Sequence, residues 1–158
     1  MNEISSENLA EFEKRYRATV FSVIVQIFLT IVLIAAALFI VSKIEISDPA
    51  PNLSTLWVAV AFIAIGSFVL RRLFFNWERL KNITLLKGFS GLLKSLQTNT
   101  IILGVIAELV AIIGFLIAIF SGNSFDMLRA GAVALVIFLI NFPRKSVWKK
   151  IAANLENV

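Results

Sequence analysis

Glu108 is the residue whose type and position best suit a chemical role in this chain. It lies in the apolar run of residues 101–120 and is the only charged group there. A charged side chain near the middle of a membrane helix costs about 3 kcal/mol on insertion scales. It therefore persists only if it is protonated, paired, or turned towards water or the interior of a helix bundle. The chemistry that fits such a carboxyl group is the binding and release of a proton or a cation.

Gln26 is the expected partner of Glu108. Sliding the first apolar segment along the chain by 82 residues superposes Gln26 on Glu108, and each half of the chain then ends in a basic stretch with one tryptophan. This pattern indicates a possible internal duplication, with parallel repeats related by an axis along the membrane normal. Gln26 would then donate a hydrogen bond to Glu108. Either the pair only fixes the helix register, or the two residues form an ion-binding site.

The elements that position these residues are membrane helices. Hydrophobic residues make up 59% of the 158-residue chain and charged residues 16%, with a mean hydropathy of +0.90. Soluble domains are about 45–50% apolar and about 25% charged, and a span needs about 20 apolar residues. We therefore predict an all-α polytopic membrane protein of one membrane domain, with four spans that form two helical hairpins.

The predicted spans are residues 18–41, 56–70, 100–120 and 127–142, with Pro49 and Pro51 in the connection before the second span. Five segments follow from them: an N-terminal segment (1–17), a first hairpin (18–70), a basic connection (71–99), a second hairpin (100–142) and a basic tail (143–158). Pro143 is expected to end the fourth helix, because a proline disfavours helical geometry in the residue before it.

The distribution of Lys and Arg predicts the orientation. All but two of the 15 basic residues, Lys43 and Arg129, lie in the N-terminal segment, the basic connection with its flanking helix ends, or the tail. The positive-inside rule places these three segments, and hence both termini, on the cytoplasmic side of the cell's inner membrane. The N-terminal segment is polar and begins acidic, unlike a cleaved signal peptide, so we expect the first span to be retained.

The residues at the ends of the spans predict contacts with lipid. Anionic lipids of the inner leaflet are the expected partners of the basic residues, and tryptophans favour the membrane–water interface. The predicted lipid-interface residues are Arg71, Arg72, Lys81, Arg144, Lys145, Trp57, Trp77 and Trp148. Within the connection, leucines and Phe89 recur at helical spacing over residues 85–96. This pattern indicates an amphipathic helix on the inner leaflet, or else a helix that docks a partner.

The composition argues against several functional classes. The chain has no cysteine and no histidine, so disulfides, Cys/His zinc sites and Ser-His or Cys-His catalytic pairs are excluded. No convergent set of nucleophile, base or metal ligands stands out, and we predict no enzyme activity, no metal and no cofactor. The pI of about 9.9 reflects the basic loops, and with no nucleic-acid-binding motif we expect no nucleic-acid partner.

Two resemblances extend this interpretation. The third and fourth spans, with Ala107-Glu108, Gly114 and Phe142-Pro143-Arg144, resemble a family of small uncharacterised bacterial four-helix membrane proteins, which implies a fold without an activity. The third span alone also resembles the carboxylate helix of rotary ATPase proteolipids. That second likeness implies that Glu108 binds the ion and that Gln26 supports it. Proteolipid helices are richer in glycine, and the duplicated type carries its carboxylate on the last helix.

The function expected from the sequence is non-catalytic. We expect an accessory or scaffold subunit of a membrane assembly, or a bundle that associates with itself. The alternative is binding or translocation of a proton or cation by Glu108 with Gln26.

Overall fold

The computed structural model describes residues 4–43 and 52–156, and within these ranges the chain forms five helices and no strand. Four of the helices are long and apolar enough to cross a membrane, which confirms the predicted all-α polytopic class. The helices are α1 (Ser6–Val41), α2 (Ser54–Phe74), α3 (Trp77–Ser121), α4 (Ser124–Asn141) and α5 (Lys145–Leu155). The predicted connection containing Pro49 and Pro51 lies outside the described residues.

Polar and glycine residues set the ends of the two central helices. Asn76 caps α3, because its side chain accepts a hydrogen bond of 3.0 Å from the Glu78 amide. Gly122 ends α3 with a φ of 62°, a left-handed conformation that glycine adopts without a Cβ penalty. Asn123 caps the first turn of α4 with its side chain. The tight turn between α3 and α4 makes them an antiparallel pair.

The basic connection continues into the third span as one helix with a single break. At Gly88 φ is 68° and ψ is −173°, a backbone region that is essentially restricted to glycine. Residues 77–87 therefore form a helical segment with its own direction, before the part of α3 that spans the membrane. The predicted amphipathic segment divides at this break: Leu85 and Leu86 are exposed, whereas three leucines after it are buried in protein rather than laid on a membrane surface, namely Leu92, Leu93 and Leu96.

The bundle is organised around α3. This helix packs against the other four helices, and α1 and α2 each also pack against α4. Because α1 and α2 make little contact with each other, they lie on opposite sides of the α3–α4 pair. The first predicted hairpin is thus connected in sequence but is not a packed pair. Helix α2 is the most peripheral, since only Val60 and Ser67 of its residues are buried.

Small residues allow α3 and α4 to approach closely. Ala107, Ala111 and Gly114 are buried along one face of α3, and Ala130 and Ala134 are buried on α4. A Cβ built on Gly114 would lie 2.2 Å from the Cβ of Ala130. Close packing at small residues is a main source of association between membrane helices, because lipid gives little hydrophobic driving force.

A second core lies at one end of the bundle and joins segments from the whole chain. We call it the basic-end core, and it holds Ile4, Phe12, Leu80, Leu92, Leu93, Leu96, Trp148, Ala152, Ala153 and Leu155. Helix α5 supplies four of these residues, although the sequence predicted only a basic tail there. The start of α1, residues 77–96 and α5 therefore form one folded layer.

Polar contacts tie the two ends of the chain together in this layer. Glu156, which follows α5, accepts hydrogen bonds from the Ser5 amide at 3.0 Å and the Asn8 side chain at 2.7 Å. A carboxylate at this position also interacts favourably with the dipole of α1. Tyr16 donates to the carbonyl of Pro143 at 3.0 Å. The N-terminal helix is thus fastened both to the end of α4 and to the tail.

Candidate functional site

Glu108 lies at the edge of a face of α3 that the bundle leaves uncovered. We call this the open face of α3, and its exposed residues recur every three or four positions: Ile102, Val105, Leu109, Ile112, Leu116 and Phe120. Glu108 itself is half-buried. No side chain or backbone group in residues 4–43 and 52–156 forms a hydrogen bond or ion pair with its carboxyl group. The bundle therefore holds a carboxyl group that it does not pair.

The prediction of a hydrogen bond between Gln26 and Glu108 is wrong. Gln26 is buried, and its amide nitrogen approaches the carbonyl of Ile101 at 3.5 Å. Its Oε1 lies 2.0 Å from where a Cβ of Gly104 would stand, so the side chain occupies the space that this glycine leaves. Gln26 thus meets α3 about one turn before Glu108, roughly 6 Å along the helix axis. Superposing the two halves of the sequence therefore placed Gln26 about one turn too far along α3.

Two buried oxygen atoms on α1 lack hydrogen-bond donors. Gln26 Oε1 and Thr30 Oγ1 are inaccessible, and neither has a partner among the described residues. They lie one helical turn apart, so both are on the same face of α1. Most buried polar side-chain atoms in proteins are hydrogen-bonded to protein or to ordered water. The Gln26–Thr30 site is thus a small polar site inside an apolar interface, and Glu108 lies one turn beyond Gly104, the α3 residue that Gln26 contacts.

The predicted interface residues divide between surface and core. The basic residues Arg71, Arg72, Lys81, Arg144 and Lys145 are exposed, as is Trp77, and Trp57 is half-buried against the apolar core. Trp148 differs from the prediction of a membrane anchor. It is 2% exposed and packs edge-on against Tyr16 in the basic-end core, with ring centroids 5.7 Å apart.

A cavity of about 410 Å³ lies where α2 and α4 end and α5 begins. We call it the boundary pocket. Its polar lining includes Arg71 from the end of α2, Arg144 from the start of α5, and Trp148, and its apolar walls include Phe75, Ile140 and Ile151. The sequence predicts both arginines as lipid-interface residues, but it does not indicate that they line the same cavity. Only the turn at Pro143 and the folding of α5 bring residues 71 and 144 to one cavity.

No group of three or more acidic, His or Cys side chains that could hold a metal ion occurs among the residues described. Comparison with known proteins adds no relative, since no family model, curated protein or solved structure matches this chain.

Proposed function

We propose that this chain is a small, non-catalytic membrane protein that serves as an accessory or scaffold subunit, or as a self-associating bundle. The observation that carries the proposal is the position of Glu108 on the edge of the open face, without a partner among the described residues. In a lone bundle an ionised carboxylate there would contact lipid, at a cost of about 3 kcal/mol. A second chain packed on the open face would exclude lipid and supply a donor.

The test is to extract the full-length chain from its own membrane in mild detergent and to measure the stoichiometry of its complexes by native mass spectrometry. We expect a complex of fixed stoichiometry. Ile112→Trp on the open face should dissociate it, whereas Ile65→Trp on the exposed side of α2 should not, because both positions are membrane-facing but only the first lies beside Glu108. A monomer in every case, or equal effects of the two variants, would overturn the proposal.

The orientation belongs to the same proposal. Both termini and the basic connection lie on the cytoplasmic side of the inner membrane. The basic-end core supports this, since it gathers the three basic segments at one end of the bundle. Because the chain has no cysteine, single cysteines can be introduced at Leu9 and Asn123. A membrane-impermeant thiol reagent should label position 123 in intact cells and position 9 only after permeabilisation; the reverse pattern would invert the topology.

The alternative function is proton or cation translocation through Glu108 and Gln26. The observation in its favour is the pair of buried oxygens on Gln26 and Thr30, which lack hydrogen-bond partners among the described residues. Gln26 contacts α3 at Gly104, one turn before Glu108. Oxygen ligands of this type suit a hydrated proton or a hard cation.

Flux measurements separate the two functions. In reconstituted vesicles, translocation predicts that Glu108→Gln stays folded but abolishes flux, with Asn123→Gln as a control at the end of the bundle. If Glu108→Gln leaves any measured flux unchanged, the translocation function is rejected. The accessory function predicts no intrinsic flux at all.

A further inference from the structure

We infer that the boundary pocket binds the phosphate group of an anionic phospholipid headgroup. The inference goes beyond the proposed function, because it assigns a ligand site that an accessory subunit does not need. Its volume of about 410 Å³ falls within the range of ligand sites, roughly 300–1,000 Å³. The pocket combines cationic and apolar lining, which a headgroup requires and a soluble ion does not.

The cationic lining provides the anion recognition. Arg71 and Arg144 enter the pocket from different helices, and neither forms an ion pair with the described carboxylates. One Arg71 N–H group donates to the carbonyl of Ile140, which fixes the guanidinium at the pocket mouth. A guanidinium has five N–H donors, so the others remain for a ligand. Two guanidinium groups suit a bidentate phosphate contact.

Two neighbouring features strengthen the recognition. The buried Trp148 indole lines the same cavity and carries a further N–H donor. Helix α5 begins at this wall, and no side chain caps its first turn. Its uncapped backbone N–H groups and dipole add positive potential beside the two arginines.

The position of the pocket favours a membrane lipid over a soluble phosphate. Arg71 follows the apolar part of α2, and Asn141 is the last residue of α4, so the pocket lies where the apolar spans end. Beside it on α4, Leu139 is 69% exposed and Val136 is 51% exposed. An acyl chain would lie along these residues while Phe75 and Ile151 surround the ester region.

The experiment is lipid titration of the delipidated full-length protein in neutral detergent, followed by native mass spectrometry. Phosphatidylglycerol should give a one-to-one adduct that phosphatidylcholine and diacylglycerol form much more weakly. Arg144→Gln and Arg71→Gln should each weaken the adduct by about 10-fold, as expected for loss of a charge-assisted hydrogen bond. Arg72→Gln and Lys149→Gln are matched controls, because they remove the same charge from exposed residues outside the pocket.

Arg71 also donates a hydrogen bond to the Ile140 carbonyl, so its replacement could destabilise the fold. If Arg71→Gln unfolds, Arg144→Gln is the decisive variant. Equal weakening by the control variants would mean general surface attraction and would overturn the pocket. Equal binding of diacylglycerol would overturn the phosphate assignment. Glycerol phosphate or inorganic phosphate that competes at the lipid's own concentration would assign the pocket to a soluble anion instead.

Discussion

Replacement of Gly114 by alanine tests the close packing of α3 against α4. The added Cβ would stand 2.2 Å from the Cβ of Ala130, and the Ala130 Cα is only 3.5 Å away. Carbon atoms pack best at about 3.5–4.0 Å, so α3 and α4 must separate by more than about 1 Å there. Neither side chain can rotate away, because both would be methyl groups. Overpacking of this kind costs about 1–3 kcal/mol.

Gly66→Ala on α2 is the matched control, since a Cβ there meets no atom within 4 Å. Both substitutions gain the same helix propensity, about 1 kcal/mol. The difference between them therefore isolates the overpacking. We expect Gly114→Ala to unfold more easily than Gly66→Ala by about 1–3 kcal/mol, measured by reversible unfolding in mixed micelles with circular dichroism.

A double-mutant cycle decides whether the proposed contact is the cause. Ala130→Gly removes the opposing methyl group, so it should recover much of the loss in the Gly114→Ala background, with a coupling of at least about 0.5 kcal/mol. Equal stability of Gly114→Ala and Gly66→Ala, or an absence of coupling to position 130, would refute this packing of α3 on α4.

Three further predictions concern the polar and glycine positions. Gly88→Ala should lower the free energy of unfolding by about 1–3 kcal/mol, measured in the same micelles, because alanine is strained at a φ of 68°. Gln26→Leu should cost less than about 1 kcal/mol, since the hydrogen bond from Gln26 to the Ile101 carbonyl is 3.5 Å long; a larger loss would contradict the weakness of this contact. Burial raises the pKa of Glu156, but hydrogen bonds from Ser5 and Asn8 outweigh it, so the pKa lies below its usual value. This contact stabilises the N-terminus above the unfolded pKa of about 4.3 and is lost as the pH falls through the lower folded pKa. A spin label at Leu9 should therefore become mobile on acidification, whereas in Glu156→Gln its mobility should not depend on this titration.

The four helices could be predicted because their cause is local. Each apolar run of about 20 residues must satisfy its backbone hydrogen bonds internally in a membrane, which only helices or closed barrels achieve. The end of α4 before Pro143 follows from the same kind of local rule. The break in α3 was partly predictable as well, since glycine weakens a continuous helix and the break lies at Gly88.

The basic-end core could not be predicted because its contacts join distant parts of the chain. Trp148 lies between basic residues, a context typical of a membrane anchor, yet α5 folds back and buries it against Tyr16. Glu156 and Ser5 are 151 positions apart. No periodicity within α5 identifies a partner at that separation. The apolar face of the helix predicts burial, but it does not distinguish burial in lipid from burial in protein.

The depth and rotation of polar groups in the spans were the hardest features to infer. Apolar segments can be superposed at several offsets, and a shift of four residues moves a side chain by about 6 Å and about 40° around the helix. That shift separates the predicted Gln26–Glu108 pair from the observed contact of Gln26 with Gly104. Gln26 contacts α3 inside the bundle, whereas Glu108 lies half-buried at the edge of the open face of α3. The described residues therefore supply no partner for the carboxylate, and the proposed accessory function is the one in which a second chain would supply it.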